Sequence, residues 1–150
     1  MNKDITESYQ GAVIETALML SQVSLFSGLT SEALLPLAKV VQKRRLTSGE
    51  VLCEEGDLGD ALYVVIRGHL EVVVDRDVRG RIKAGEAAGE TALLDGGRRS
   101  ASLRAGGVTE IYVMDREDLL ELLDAHPVLA MSLLRTLARR IVAGEAERRG

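Results

Sequence analysis

A chain of 150 residues, 46% hydrophobic and 28% charged, is long enough for one domain with a full core and too apolar for a disordered tail. Its net charge of −4 speaks against a nucleic-acid binder, which presents a basic face. One cysteine, Cys53, and two histidines, His69 and His126, exclude a disulfide framework, a cysteine-held zinc or iron–sulfur centre and a catalyst built on clustered histidines.

The polar start, Met1 to Gln10, has no basic segment followed by an apolar one, and no run reaches the roughly 18 apolar residues that span a bilayer. A cytoplasmic protein is expected, and the lone thiol fits a reducing compartment. Apolar residues at helical spacing predict a helix over 12–23. Ser27 to Ser31 reads as a turn, and Ser31 with Glu32 behind it reads as the capped start of a second helix through EALLPLAKVV, with Pro36 early enough to be tolerated.

From about Arg44 the period changes. Short apolar runs at 51–55, 61–66, 69–75, 81–84, 101–105 and 109–115 are separated by Gly- and Asp-rich segments, the pattern of an all-β roll, sandwich or barrel. Asp57 and Asp60 read as turn formers. The nearly all-apolar run 61–66 predicts a strand covered on both faces. At Asp115 the helical period returns: Asp115 stands as N-cap to a helix with acids in its first turn, His126-Pro127 breaks it, and Pro127 opens a last helix to about residue 143, ended or frayed by Gly144. Leu129, Leu133, Leu137 and Ile141 form an apolar stripe on it, expected to fold onto its own roll in preference to a twin helix. The arginines 135, 139, 140, 148 and 149 are diluted by Glu145 and Glu147 and read as a solvated helix face.

One segment carries chemistry. Between two predicted strands, Gly85 to Ala101 is rich in small residues whose backbone N–H groups can approach a ligand closely. Glu90-Thr91-Ala92-Leu93-Leu94 has the composition of one helical turn, whose N-terminus attracts an anion. Arg99, a few residues on, offers the planar fork that suits a phosphate. Glu90 beside a phosphate makes sense only if the ligand also brings hydroxyl donors, as a ribose does. From these residues alone, two readings stay open: an anion cradle, or a surface loop with solvated Arg and Glu.

The chain resembles the cyclic nucleotide-binding domain family over about residues 18–143. Leu25-Phe26-Ser27-Gly28-Leu29 is similar to the family's entry turn, and Ser48-Gly49-Glu50 through Gly56-Asp57, Gly59-Asp60, Tyr63 and Arg67-Gly68 to its glycine-punctuated strands. Gly89-Glu90-Thr91-Ala92-Leu93-Leu94 with Arg99-Ser100-Ala101 resembles its phosphate-binding cassette. The resemblance implies one domain over 1–150, mainly β with flanking helices. It comprises N-terminal helices (1–45), a jelly-roll-like β-roll, or double-stranded β-helix (46–114, cassette 89–101), and two C-terminal helices (115–150). It further implies that Arg99 pairs with a cyclic phosphate and that Glu90 takes the ribose 2′-hydroxyl. Gly89, Thr91 and Ala92 would offer backbone contacts, Ser100 and Ala101 would lie beside the phosphate, and Val72 and Ile82 would line the base. Arg140 would pair with Glu90 as the last helix closes.

Ala88 stands where the family has a larger apolar residue, and Thr91 where it commonly has Leu or Met. Gly144-Glu145 stands where its transcriptional activators place a Thr-Ser pair against the adenine. The expected function is a non-enzymatic sensor that takes cAMP or cGMP as ligand, needs no cofactor or metal, and moves its last helix. Its partners would be the nucleotide and an effector protein or attached domain, with no nucleic acid or membrane contact, as a monomer or weak homodimer through that helix. The alternative is a ligand-free scaffold of the same fold. No helix-turn-helix follows the last helix, so the reading is a cut piece or a module acting alone.

Overall fold

The computed structural model describes the backbone of residues 3–89 and 96–149, and the side chains of 8–89, 96–139, 142 and 143. The chain divides into two compact units, residues 1–39 with 121–150, and residues 40–120.

The first unit is helical. Helix α1 (Lys3–Ser21) buries Val13, Ala17 and Leu20, one stripe at helical spacing. It starts nine residues before the expected helix, because its polar first turns show no apolar period. A 3-10 turn at Ser24–Phe26 buries Leu25 and Phe26. The expected second helix is instead a run of turns and one short helix, α2 (Leu35–Ala38). Pro36 is the reason: in a continuous helix its missing N–H would leave the Glu32 carbonyl unpaired, and it disfavours helical geometry before it. The Leu35 N–H reaches the Glu32 carbonyl at 3.2 Å as a tighter turn, and Thr30 Oγ1, not Ser31, accepts a bond from the Ala33 N–H at 3.1 Å.

The second unit is a roll of two four-stranded antiparallel sheets. Strands β1 (Gln42–Leu46), β8 (Thr109–Asp115), β3 (Ala61–Arg67) and β6 (Ala87–Ala88) lie in that order in one. Strands β2 (Val51–Cys53), β7 (Ser102–Ala105), β4 (His69–Val74) and β5 (Asp77–Lys83) make the other. Leu46, Ala61, Tyr63, Val65, Ala88 and Ile111 of the first sheet share one core with Cys53, Leu70, Leu103 and Ala105 of the second. As expected for β3, its other face is closed too: Leu62 and Val64 are fully buried.

Strands β1 and β6 had no sequence signal. The first is an edge strand with four exposed polar residues and one buried leucine, and the second is two residues long. Strand β5 begins four residues earlier than the run 81–84, because Asp77 to Gly80 are mostly exposed and break the alternation. The connection before it is only Asp75-Arg76, both at positive φ (51° and 70°), the backbone of a tight hairpin turn.

Helix α3 (Arg116–Ala125) follows β8 directly, and helix α4 (Pro127–Arg149) opens at the expected proline. Its backbone continues through Gly144, where an end or fraying was expected. One glycine costs about 1 kcal/mol against alanine, and the Ala and Glu residues around it favour the helix. Leu129 and Leu133 of the predicted stripe are buried and Leu137 is partly so; the Ile141 side chain lies outside the described residues.

Gly68, between β3 and β4, has φ +78°, and a Cβ there would sit 2.6 Å from the Val108 carbonyl oxygen and 2.8 Å from Thr109 Oγ1. Neither can retreat without moving the β7–β8 connection. Gly68→Ala is therefore expected to destabilise the roll by about 2 kcal/mol or more. A urea midpoint equal to that of the unsubstituted protein would contradict this.

Candidate functional site

The cassette's second half is anchored by backbone pairing to the loop between β2 and β3. Asp57 makes that loop's first turn, its carboxylate accepting from the Glu54 N–H at 2.9 Å, as a turn former should. The Arg99 N–H then donates to the Asp57 carbonyl at 2.6 Å, the Gly56 N–H to the Arg99 carbonyl at 2.9 Å, and the Gly59 N–H to the Gly97 carbonyl at 3.0 Å. The Arg98 guanidinium reaches the Gly56 carbonyl at 2.8 Å. Ser102 Oγ accepts from the Glu55 N–H at 2.9 Å. The backbone at Arg99 is thus set by a small ladder on both sides.

This anchoring turns the Arg99 side chain inward, where only 5% of the residue is exposed. Its Nη2 donates to the Ala61 carbonyl at 2.5 Å and its Nη1 to the Gly89 carbonyl at 3.5 Å. Its Cζ lies 5.2 Å from the centroid of the Tyr63 ring. The nearest carboxylate oxygen among the described residues, Asp60 Oδ1, is 3.9 Å from Nη2, but the Asp60 side chain is 84% exposed, so water weakens that attraction. Among the described residues, the buried Nε–H has no hydrogen-bond partner. Among the described residues this buried cation meets two carbonyls, an aromatic face and one solvated acid, which leaves part of its charge and one donor for an anion to meet.

Gly89 has φ +90°, and a Cβ there would overlap Arg99 Nη1 and stand 3.1 Å from the Ala61 carbonyl oxygen. Only glycine leaves room for this guanidinium, a second role beside the backbone contact expected of it. Val72 and Ile82 pack, partly buried, against the same core as Tyr63, so the structure brings these two predicted residues and Arg99 to the inside of one roll. Ser100 is exposed and Ala101 partly exposed. Ala88 is buried in the core. Glu90, Thr91 and Ala92 lie outside the described residues, as does the Arg140 side chain, and with them the expected Glu90–Arg140 pair.

Sequence reasoning gave no role at this centre to Tyr63, Cys53 or the Ala61 carbonyl, and read Asp60 as a turn former only. Asp60 does more: its carbonyl accepts from the Arg116 N–H at 2.9 Å and its carboxylate faces Arg99. Strand alternation was the available signal for Tyr63, since Ala61, Tyr63 and Val65 must share a face. Burial pushes the Cys53 thiol above its ordinary pKa, with the Arg99 charge the main opposing influence. Burial likewise pushes the Tyr63 phenol up, Cys53 adds to the shift, and Arg99 opposes it. Among the described residues no three His, Cys, Asp or Glu side chains group as a metal site, and no helix is long and apolar enough to cross a membrane.

The sequence profile of the family described as "Cyclic nucleotide-binding domain" matches residues 43–126. The human "Cyclic nucleotide-gated channel beta-1" is 30% identical over 130 residues, which cover 83% of this chain and 10% of the channel. The "Cyclic AMP receptor protein" of Thermus thermophilus is 35% identical over 128 residues, 82% of this chain and 59% of that protein. This chain therefore spans a small part of the channel and about three fifths of the receptor protein. The crystal structure of a cyclic nucleotide-binding domain from Methylobacillus flagellatus superposes with a TM-score of 0.75 at 28% identity, covering 90% of this chain and 79% of that one.

The raised thiol and phenol predict a pH response. Both shifts are upward, so folding favours the neutral forms. The stability they contribute is whole below the ordinary values of 9.0 for the thiol and 10.0 for the phenol, and is lost as pH rises through the folded-state values. The urea midpoint should fall as pH climbs from 9.0, and fall less steeply in the Cys53→Ala, Tyr63→Phe double variant. Identical slopes in the two proteins would refute the assignment.

Proposed function

The chain belongs to the cyclic nucleotide-binding domain family, and we propose that it is a sensor module whose roll takes up cAMP or cGMP with the cyclic phosphate on Arg99. The observation that carries this reading is the buried Arg99 Nε–H, which has no acceptor among the described residues. A cyclic phosphodiester carries one negative charge and two free oxygens, the complement of one guanidinium edge. Nε and a neighbouring Nη can meet both oxygens while the Ala61 and Gly89 carbonyls keep the remaining donors occupied.

The rest of the nucleotide is assigned by resemblance to the family. Glu90 takes the ribose 2′-hydroxyl as acceptor. Backbone groups of Gly89, Thr91 and Ala92 meet sugar and phosphate, and Ser100 and Ala101 flank the phosphate. Val72 and Ile82 supply an apolar wall for the purine. Ligand binding moves the last helix, with Arg140 pairing to Glu90, and an effector or attached domain reads that movement; the ligand must bind one arrangement better than the other. This is a binding role and not catalysis, and the lone buried thiol fits the reducing cytoplasm. The names of the human and Thermus relatives, a nucleotide-gated channel and a cyclic AMP receptor, support the ligand class. A ligand-free scaffold is not favoured, since it would carry the burial cost of an arginine whose Nε–H meets no acceptor among the described residues, for no return.

Calorimetry with cAMP and with cGMP tests the reading. The unsubstituted protein is expected to bind at least one with a Kd of about 1 μM or below. Arg99→Ala should weaken that about 100-fold, as for a buried charge pair deprived of one partner, and Arg99→Lys should keep the charge but lose the two-point contact. Equal affinity in all three proteins, each checked for native circular dichroism, would overturn the site.

A further inference from the structure

We propose that Tyr63 is a positioning residue for the phosphate site: its ring holds the plane of the Arg99 guanidinium so that the Nε edge stays open to an incoming anion. The inference rests on the nucleotide reading above and adds a residue to it.

A guanidinium has two edges, a tip and two faces. In this chain the Ala61 and Gly89 carbonyls occupy donors on Nη2 and Nη1, which fixes the group within its own plane. Those two contacts leave it free to tilt out of that plane. Among the described residues, the contact that opposes tilting is the Tyr63 ring, its centroid 5.2 Å from Cζ. Both partners are buried, Arg99 at 5% and Tyr63 at 6% exposure, so the attraction between cation and ring is not diluted by water. The strand supplies the arrangement: Ala61 and Tyr63 are two apart on β3 and both belong to the roll core, so one strand contributes the in-plane acceptor and the ring.

The consequence is pre-organisation. A free arginine side chain has about 2 kcal/mol of rotamer entropy to lose when its fork meets an anion. A guanidinium already held on three sides loses less of it at binding, and affinity rises accordingly. Asp60, at 3.9 Å and mostly exposed, cannot do this, because a solvated carboxylate on a flexible stem fixes little. An aliphatic side chain at 63 would fill the volume but offer no negative face.

The experiment replaces Tyr63 by Phe, by Leu, and by mono-, di- and trifluorinated phenylalanines. Fluorination withdraws charge from the ring face at nearly constant shape. Affinity for cAMP and cGMP is read by calorimetry, and the urea midpoint is read alongside. The ring's effect on Arg99 is read without nucleotide from the arginine side-chain N–H signal in proton–nitrogen spectra, identified by its loss in Arg99→Lys. Tyr63→Phe should bind within about twofold of the unsubstituted protein and Tyr63→Leu about tenfold more weakly. The logarithm of affinity should fall stepwise along the fluorinated series at a constant urea midpoint, which a space-filling role would not produce. The Arg99 Nε–H signal should be displaced by the ring in the unsubstituted and Phe proteins and return to an ordinary position in Leu. A flat fluorinated series, a Tyr63→Phe loss equal to that of Tyr63→Leu, or an Arg99 signal indifferent to the ring overturns the proposal. If the unsubstituted protein binds neither nucleotide, the ligand reading falls, while the Arg99 signal still decides whether the ring holds the guanidinium.

Discussion

Burying an arginine is among the more expensive things a small domain can do, because the charge leaves water and must find its compensation in fixed groups. At Arg99 the described residues supply that compensation only in part. Among the described residues, two backbone carbonyls and an aromatic face hold the guanidinium, the nearest carboxylate is out in solvent, and Nε–H has no acceptor. Much of the surrounding backbone exists to impose this state. The 2.6 Å bond from the Arg99 N–H to the Asp57 carbonyl aims the side chain inward, and the absence of a Cβ at Gly89 gives it space.

The roll makes such a position affordable. Its two sheets close around one core of aliphatic residues with few aromatics, so Tyr63 is the large ring among Ala61, Ala88, Ala105 and Cys53. Small neighbours leave room beside a large ring, and apolar walls keep water from satisfying the guanidinium instead. The same low-dielectric surroundings keep the Cys53 thiol and the Tyr63 phenol neutral, so neither competes as an anion for Arg99 below its raised pKa.

Where a structural feature is periodic or local, the amino-acid order declared it. The strand at 61–66 and the proline-opened last helix were legible because alternation and capping act over a few neighbouring residues. Strand β1 was not, since Lys43, Arg44 and Arg45 face solvent and only Leu46 is buried; an edge strand is defined by its partner β8, sixty-odd residues away, and not by its own pattern. The short α2 departs from the longer helix that apolar spacing predicts, because Pro36 lacks the N–H such a helix needs. At the site, Gly89 and Arg99 were readable as a cassette through family resemblance. That Gly89 accommodates the Arg99 side chain, and that Tyr63 lies beneath it, follow from β3, β6 and the 97–101 segment meeting in space, which no single stretch of sequence contains.

The identity of the counter-charge decides between a structural arginine and a receptor. A buried carboxylate among the described residues would satisfy Arg99 in the folded protein, and a ligand would have to break that pair before binding. Asp60 is instead exposed and 3.9 Å away, tied through its own carbonyl to the start of α3 at Arg116. Its field lowers the charge seen by an anion without filling the anion's place. A permanent partner would have stabilised the fold more, and a fully uncompensated guanidinium would have stabilised it less. Among the described residues, the intermediate arrangement leaves a folded roll whose unmet buried side-chain donor sits on its buried cation, the condition that the proposed phosphate-bearing ligand would fulfil.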